Sequence, residues 1–502
     1  MSKIRRQSII SSVVVYIGFA FGLINTYLFA REGGFTKEQY GLTGVFIAVS
    51  NIFFSLSQLG MTAYIYKFYP YYNDNLPKKK NDMLSIALIV SLIGYCLVIL
   101  AGILLKDLVI RKFGTNSPDL VAYYKWIFPF GLGLTLFSIL EAYAWQLKRS
   151  VFTNFLREVV FRLLTTVLII LSFTKIISDF DLFIKLYSLS YLAIAVMLIV
   201  YLVGQFEFNL TFSISNVSKK FFKKIVTLCS FVYGGALVFT ISSVFDTIVI
   251  ASVIGIDMAA VYTLAQNMAS LVQAPQRGIV SSSIGPLSQA WKDKNMELID
   301  KIYHRSSINQ LIFSTAMFAL IWLNFTDAVY TFHLNKDYLI AINIFLFIGI
   351  TRIIDMGTGV SGQIIGTSTK WRFDFFTGIF LLLITLPLNY ILTYSIGVTG
   401  PAIANLVSFS IYNTIRYWYL YKKFNLQPFT NRSAYTVLLA ATGFVICYLL
   451  FNNKMGIEWL FIRSISFLVL FIGGAIAINL SPDIIPVLQS IRKRLRIRNN
   501  KS

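Results

Sequence analysis

Long apolar stretches dominate the chain and limit what it can become. Fourteen of them follow one another along 502 residues, 56% of which are hydrophobic and only 13% charged. A helix needs about 20 apolar residues to cross a bilayer, and a soluble domain is about 25% charged. The connections left over are short, which excludes a soluble catalytic domain and a large external receptor domain. A β-barrel is also excluded, because its segments would be shorter and alternating.

The sequence therefore predicts an all-α polytopic membrane protein with 14 transmembrane helices. We expect the first helix to be retained and not removed as a signal peptide, because the run that ends at Ala30 lacks a small-residue cleavage site. The predicted stretches, numbered from the N-terminus, cover residues 8–29, 41–66, 83–105, 120–145, 155–177, 182–204, 225–252, 258–283, 305–325, 338–361, 373–394, 398–421, 433–452 and 459–479.

The net charge of +22 is distributed unevenly over the predicted connections. With an even number of crossings, 30 of the 44 lysines and arginines fall on the side of the two termini. Cytoplasmic connections of membrane proteins carry this excess of positive charge. We therefore expect both termini in the cytoplasm, and we expect no nucleic-acid partner.

Polar residues of the second and eighth stretches recur at a constant offset of 215 residues. Within each stretch they share one helical face, and such faces point toward protein or a water-filled cavity. The pattern predicts two parallel six-helix lobes around a central cavity, plus two extra C-terminal helices. The matched pairs are Asn51 with Gln266, Ser55 with Ser270, Gln58 with Gln273, and Thr62 with Arg277.

This organisation divides the chain into four predicted parts. The N-lobe covers 1–215 with helices 1 to 6, and the C-lobe covers 216–424 with helices 7 to 12. Helices 13 and 14 occupy 425–480. The remaining segment, 481–502, combines apolar and basic residues and is predicted to be an amphipathic cytoplasmic tail on the anionic leaflet.

Charged residues inside the stretches are the functional candidates, because a charge at the bilayer centre costs about 3 kcal/mol. We predict a cationic substrate-binding lining made of Arg277, Arg352, Arg416, Arg31, Gln273, Asn51 and Gln58. The candidates for ion coupling are the carboxylates of Asp246, Asp355 and Glu141.

Structural roles compete with these assignments. Arg352 and Asp355 could form an ion pair at i, i+3, and Arg162 could pair with Glu158 at i−4. Asp246 could form a salt bridge to Arg31 or Arg277, and Arg416 could extend to the cytoplasmic interface. The prolines inside stretches 4, 8 and 11, including Pro275, kink helices either around a cavity or as static packing features.

The sequence lacks the common short motifs for ATP binding and for a catalytic metal. It contains no GxxxxGK[ST] sequence for ATP and no HExxH sequence for a metal. The expectation is therefore no cofactor, no metal site and no enzymatic activity, with H+ or Na+ as the coupling ion.

Several sequence segments resemble the Wzx-type polysaccharide flippases, which move O-antigen and other lipid-linked oligosaccharides and belong to the multidrug/oligosaccharidyl-lipid/polysaccharide (MOP) exporter superfamily. The C-terminal half contains Ser361-Gly-Gln-Ile-Ile-Gly-Thr-Ser-Thr-Lys-Trp-Arg372, then Leu386-Pro-Leu-Asn-Tyr-Ile391, then Ile396-Gly-Val-Thr-Gly-Pro-Ala-Ile-Ala404. The N-terminal half contains Thr36-Lys-Glu-Gln-Tyr-Gly41, Gly60 and Tyr69-Pro70. The resemblance covers nearly the whole chain.

The resemblance implies export of an isoprenoid-pyrophosphate-linked oligosaccharide from the cytoplasmic to the outer leaflet by alternating access. It also implies a bacterial inner-membrane location, contact with membrane lipids, and a polysaccharide polymerase or chain-length machinery as partner. Arginine suits this substrate because guanidinium binds phosphate groups bidentately. Lipid II flippases rely on arginines in their first helix, but this chain has none between Arg6 and Arg31.

Three other functions remain open at this stage. A MATE-like drug/cation antiporter of the same superfamily would need a net acidic lining, whereas the intramembrane candidates include four arginines and three acids. A membrane glycosyltransferase or polymerase would need a substantial external loop with catalytic residues. A non-transporting assembly partner would not need buried charges in both lobes.

Overall fold

A computed structural model describes residues 3–147, 149–177, 179–452 and 454–483. Within these ranges the side chains of residues 3–13, 15, 16, 231, 236, 239, 243, 277, 281, 282, 285, 288, 292 and 371 lie outside the description. The predicted amphipathic tail falls almost entirely beyond residue 483 and so lies outside the described residues.

Helices form the framework of the described ranges, as a bilayer requires. Lipid offers no hydrogen-bond partner to the backbone, and a helix satisfies its own N–H and C=O groups. The first twelve helices are α1 Lys3–Ala30, α2 Lys37–Ser57, α3 Met61–Asn75, α4 Met83–Leu104, α5 Lys106–Phe113, α6 Pro118–Ala122, α7 Ile127–Gln146, α8 Ser150–Asn154, α9 Phe161–Phe173, α10 Phe180–Ser188, α11 Ser190–Gly204 and α12 Asn216–Val253. The others are α13 Ile256–Val272, α14 Gln276–Lys292, α15 Met296–Thr331, α16 Ala341–Gly357, α17 Ser361–Thr367, α18 Trp371–Ile396, α19 Gly400–Phe424, α20 Asn431–Phe451 and α21 Ile457–Ala477.

The polytopic all-α fold predicted from the sequence is confirmed. Each of the fourteen apolar stretches lies on one or two of these helices. Ten candidate spans within the described residues are long and apolar enough to cross a membrane, one of them being the 53-residue run Arg372–Phe424 that comprises α18 and α19. The count of fourteen crossings stays a prediction.

Two compact units divide the chain, Met1–Ala260 and Val261–Ser502. The division falls later than residue 215 because α12 packs along α2 and α3. Gly60, in the left-handed conformation at φ +79°, makes this packing close, since a Cβ there would lie 2.8 Å from the Cys229 backbone. The predicted lobe boundary after residue 215 concerns the sequence repeat and stays a prediction.

Matching helix breaks in the two units support the internal repeat. One break separates α2 from α3 after Ser57, and the other separates α13 from α14 after Val272, which is 215 residues further along the chain. The first break turns through Leu59 and Gly60, both with positive φ. The second break contains Pro275, whose ring cannot donate a backbone hydrogen bond. Proline thus ends a helix here, where the sequence analysis predicted a kink in one continuous helix.

A buried ion pair fastens the two C-terminal helices to the second unit. Helices α20 and α21 pack against α15, and Arg463 Nη1 of α21 lies 3.4 Å from Asp327 Oδ2 of α15. Arg463 also donates to the Lys454 carbonyl at 2.6 Å, and Asp327 Oδ1 accepts from the Gly456 N–H at 2.9 Å. Both side chains are less than one-tenth exposed, so the network fixes the position of these helices.

The chain beyond α21 is bound to α15 at Arg305 and Asn309. Asp483 accepts hydrogen bonds from Arg305 Nε at 3.1 Å and from Asn309 Nδ2 at 2.7 Å. The hydrogen bond from Arg305 holds the pKa of the Asp483 carboxyl below its ordinary value. The predicted basic tail therefore begins from a fixed point on the second unit.

We expect Gly133→Ala to destabilise the first unit. A Cβ at Gly133 would lie 2.3 Å from the Leu192 N atom, at the contact between α7 and α11. Overpacking of this kind costs about 1–3 kcal/mol, so the apparent melting temperature in detergent should fall by several degrees. Gly204→Ala is the matched control, because nothing lies within 4 Å of that position. Equal melting temperatures for the two variants would contradict the close packing of α7 on α11.

Candidate functional site

Asp355 lies at the centre of a polar cluster in the second unit. Gln276 Nε2, at the start of α14, donates to Asp355 Oδ2 at 2.9 Å. Gln273 Nε2, in the turn before it, approaches the same oxygen at 3.4 Å and also bonds Gln276. The break between α13 and α14 thus directs two amides at one carboxylate. The sequence predicted Gln273 and Asp355 separately, and the fold brings them together.

Gln276 was missed in the sequence analysis, which concentrated on the repeated polar face. Pro275, directly before Gln276, could have indicated it. A proline inside an apolar stretch interrupts regular helix packing, so a neighbouring side chain can point toward a site. An amide donor carries no net charge, so Gln273 and Gln276 do not neutralise the Asp355 carboxylate. Arg416 is near enough to interact with that carboxylate electrostatically.

Arg416 is largely buried inside the second unit. Its side chain is 11% exposed, pairs with Asp374 of α18, and lies over the Tyr412 ring at 4.4 Å from the centroid. Gly362 of α17 allows this position, because a Cβ there would lie 2.7 Å from Arg416 Nη2. Asp374 lies at the start of the predicted stretch 373–394, and the sequence analysis did not include it among the intramembrane charges.

Buried hydrogen-bond donors around this cluster lack acceptors among the described residues. They include Arg352 Nε, Arg416 Nε, Asn413 Nδ2, Tyr303 Oη and Gln310 Nε2, and Gln310 Oε1 is a buried acceptor that lacks a donor in the same part of the structure. They lie on α15, α16 and α19, and α16 packs against both α15 and α19. A buried donor without an acceptor costs about 1–3 kcal/mol, so an oxygen-rich anion that accepts these hydrogen bonds would recover that energy.

The first unit holds a second set of buried charges, around a π-helical turn at Phe155–Val160. Arg157 Nη1 from this turn lies 2.7 Å from Glu141 Oε2 of α7, whose side chain is 6% exposed. The predicted pair between Glu158 and Arg162 is also present, at 3.1 Å. Glu141 therefore has a nearby positive charge, that of Arg157.

The remaining predicted lining residues of the first unit make local contacts. Arg31 is exposed, with its guanidinium 5.5 Å from the centre of the Phe173 ring. Asn51 donates to the Ile47 carbonyl in its own helix at 2.7 Å. Gln58 is buried and accepts a hydrogen bond from Thr62 Oγ1 at 2.6 Å. Their place in one substrate lining stays a prediction.

Asp246 and Arg277 are the last two predicted site residues. Asp246 lies on α12 and is 3% exposed, and it interacts with a neighbouring group. Arg277 begins the helical part of α14 after the break, but its side chain lies outside the described residues. Elsewhere in the described ranges, no group of three or more His, Cys, Asp or Glu residues is arranged to hold a metal ion.

Comparison with known families identifies the chain. Residues 4–291, more than half of it, match the family model of the polysaccharide biosynthesis protein, and the chain belongs to that family. A search of curated proteins finds no significant match.

Solved structures of similar fold are flippases and transporters. Lipid II flippase MurJ in an inward closed conformation superimposes with a TM-score of 0.73 at 18% identity, over 93% of this chain and 98% of that one. An inward-facing MATE multidrug transporter of the MOP superfamily gives 0.63 at 14% identity, over 81% and 93%. An outward-facing MATE transporter gives 0.52 at 17% identity, over 82% and 94%. At these identities the likeness establishes the fold.

We expect Glu141 and Arg157 to be coupled in stability. Arg157→Gln leaves a buried carboxylate without its charge partner. Because the Arg157 side chain is 35% exposed, the cost should lie below that of breaking a fully buried pair, which is about 3–5 kcal/mol. The apparent melting temperature should fall for Arg157→Gln and recover largely in the Glu141→Gln/Arg157→Gln double variant. Additive effects of the two substitutions would show that the pair is not a structural unit.

Proposed function

We propose that this protein is a flippase that moves an isoprenoid-diphosphate-linked oligosaccharide from the cytoplasmic to the outer leaflet. The observation that carries the proposal is the set of buried donors without acceptors in the second unit, which includes Arg352 Nε and Arg416 Nε. Membership of the polysaccharide biosynthesis family and a fold shared with a lipid II flippase support it. The protein acts as a secondary transporter and not as an enzyme.

The diphosphate is the part of the substrate that these residues recognise. Guanidinium groups form strong charge-assisted hydrogen bonds to phosphate oxygens, and Arg352, Arg416, Arg31 and Arg277 are the arginines that we assign to this role. The amides of Gln273, Asn51 and Gln58 provide donors and acceptors for the sugar hydroxyls. The isoprenoid chain stays in the lipid while the polar part crosses through the protein.

Alternating access requires elements that can change direction, and the two repeated helix breaks provide them. Short helices that end at a glycine or proline can tilt without breaking a continuous backbone hydrogen-bond ladder. We assign the coupling role to Asp355 and Asp246, with H+ or Na+ as the ion and no further cofactor. Glu141 is the third candidate, and Arg157 at 2.7 Å would compete with a coupling ion for its carboxylate.

A MATE-like drug/cation antiporter is the second candidate, because the same fold serves MATE transporters. Such a protein would bind an organic cation near an uncompensated carboxylate. In the second unit Asp374 pairs with Arg416, whereas Asp355 accepts from neutral amides and is the carboxylate that an organic cation would meet. Buried donors without acceptors favour the anionic substrate.

The same proposal includes a membrane location, a topology and a partner. We place it in the bacterial inner membrane with both termini in the cytoplasm, on the strength of the lysine and arginine distribution. A polysaccharide polymerase or chain-length machinery on the outer side would receive the substrate. Membrane lipids surround the helices.

We expect Arg352→Gln to weaken diphosphate binding. A hydrogen bond to a charged group contributes about 1.5–3 kcal/mol, so affinity for undecaprenyl diphosphate in detergent should fall by about 10–100-fold. Affinity for undecaprenyl phosphate should fall less. Arg432→Gln, at an exposed position near the start of α20, is the matched control. Unchanged diphosphate affinity in Arg352→Gln would remove the arginine from the site.

We expect Asp355→Asn to uncouple transport from the ion gradient, because the neutral amide can neither take up a proton nor bind a sodium ion with charge. In proteoliposomes the variant should transport at the same rate with and without an imposed gradient. Asp246→Asn in parallel tests the second assignment. A gradient response equal to that of the unsubstituted protein in both variants would exclude the two carboxylates as coupling sites.

A further inference from the structure

An alternating sequence pattern connects α11 to α12. From residue 206 to 214 every even position is apolar, namely Phe206, Phe208, Leu210, Phe212 and Ile214. The odd positions between them are polar. Period-two alternation is typical of an extended segment with one apolar face. The segment is indeed outside the helices.

The apolar face of this segment is exposed. Phe206 is 84% exposed, Phe212 81% and Ile214 63%. Such a row of large apolar side chains would be costly in water. Only Phe208 packs against the core of the first unit.

Hydrogen bonds on the polar side determine this orientation. The Thr211 N–H donates to Ser85 Oγ at 2.8 Å, and the Glu207 carbonyl accepts from Tyr143 Oη at 3.3 Å. The Ser215 N–H donates to Asp82 Oδ2 at 2.8 Å. The backbone is thus bound to the first unit at these points, while the rings of Phe206 and Phe212 remain exposed.

Lysines border the aromatic row at both ends. Helix α12 begins with Lys219, Lys220, Lys223 and Lys224, all exposed, around Phe222, which is 65% exposed. The turn Lys78–Lys80 lies close by, because Asp82 bonds both Ser215 and Ser218. Of these seven lysines, only Lys78 forms a salt bridge among the described residues, to Glu207 at 2.7 Å. The positive charge here is largely uncompensated.

We propose that this linker surface, made of residues 206–214 with Lys78–Lys80 and Lys219–Lys224, binds the anionic phospholipid headgroups of the cytoplasmic leaflet. The aromatic side chains enter the region below the headgroups, and the lysines bind the phosphates. The surface continues the lipid-facing sides of its two neighbouring helices, where Val200 is 65% and Val226 48% exposed. An acidic protein partner would satisfy the lysines but would not explain the row of phenylalanines.

The test uses the full-length protein with an environment-sensitive fluorophore on Phe212→Cys, in a Cys96→Ser background because Cys96 is also exposed. It is reconstituted in nanodiscs of phosphatidylcholine alone or mixed with phosphatidylglycerol. The emission should shift to the blue and become stronger with phosphatidylglycerol. High salt should reverse the change, since it screens exposed charges. Inorganic phosphate added to the phosphatidylcholine discs should produce no shift, which separates a lipid headgroup from free phosphate.

Two charge variants, each with the fluorophore at position 212, complete the experiment. Replacing Lys219, Lys220, Lys223 and Lys224 by Gln should abolish the phosphatidylglycerol effect. Replacing Lys294, Lys301, Lys422 and Lys423 by Gln removes the same charge from exposed positions elsewhere and should preserve the effect. A water-exposed fluorophore in both lipid mixtures, or equal loss in the two variants, would overturn the proposal. Neither result depends on the substrate that the protein transports.

Discussion

A charge inside a bilayer needs a partner, and this requirement determines how the interior of the protein is built. Asp327 pairs with Arg463, Glu141 with Arg157, and Asp374 with Arg416. Each pair joins two different helical segments, so each also fixes a contact between them. Other interior groups lie outside these salt bridges. Among them are Asp355, which accepts hydrogen bonds from amides, and Arg352 Nε, which has no acceptor in the described ranges. We assign the transport function to these groups.

The sequence predicted the helical fold because length and apolar content are local properties. It also predicted the repeat, and the helix breaks after Ser57 and Val272 agree with the same 215-residue offset. Partners were harder to predict, since a salt bridge depends on which helices are neighbours. Arg157, Asp374 and Arg463 all lie near the ends of apolar stretches, where a charge also fits a connection. Only the fold reveals that each of them meets a buried partner.

Fold alone does not determine the substrate. The chain superimposes on a lipid II flippase and on MATE transporters at comparable identity, although these proteins carry different cargo. Its first helix lacks arginine between Arg6 and Arg31. The positive groups inside the second unit offer a different arrangement for a phosphate, and the membership of the polysaccharide biosynthesis family agrees with a sugar-bearing lipid.

Transport by the purified protein in proteoliposomes tests the central claim most directly. Fluorescent oligosaccharides linked to undecaprenyl diphosphate would be compared with cationic drugs in the same vesicles under an imposed proton or sodium gradient. The proposal predicts that the lipid-linked sugar changes leaflet only when the protein is present, and that the drugs do not cross. Transport of the drugs without movement of the lipid-linked sugar would contradict the account and establish the antiporter instead.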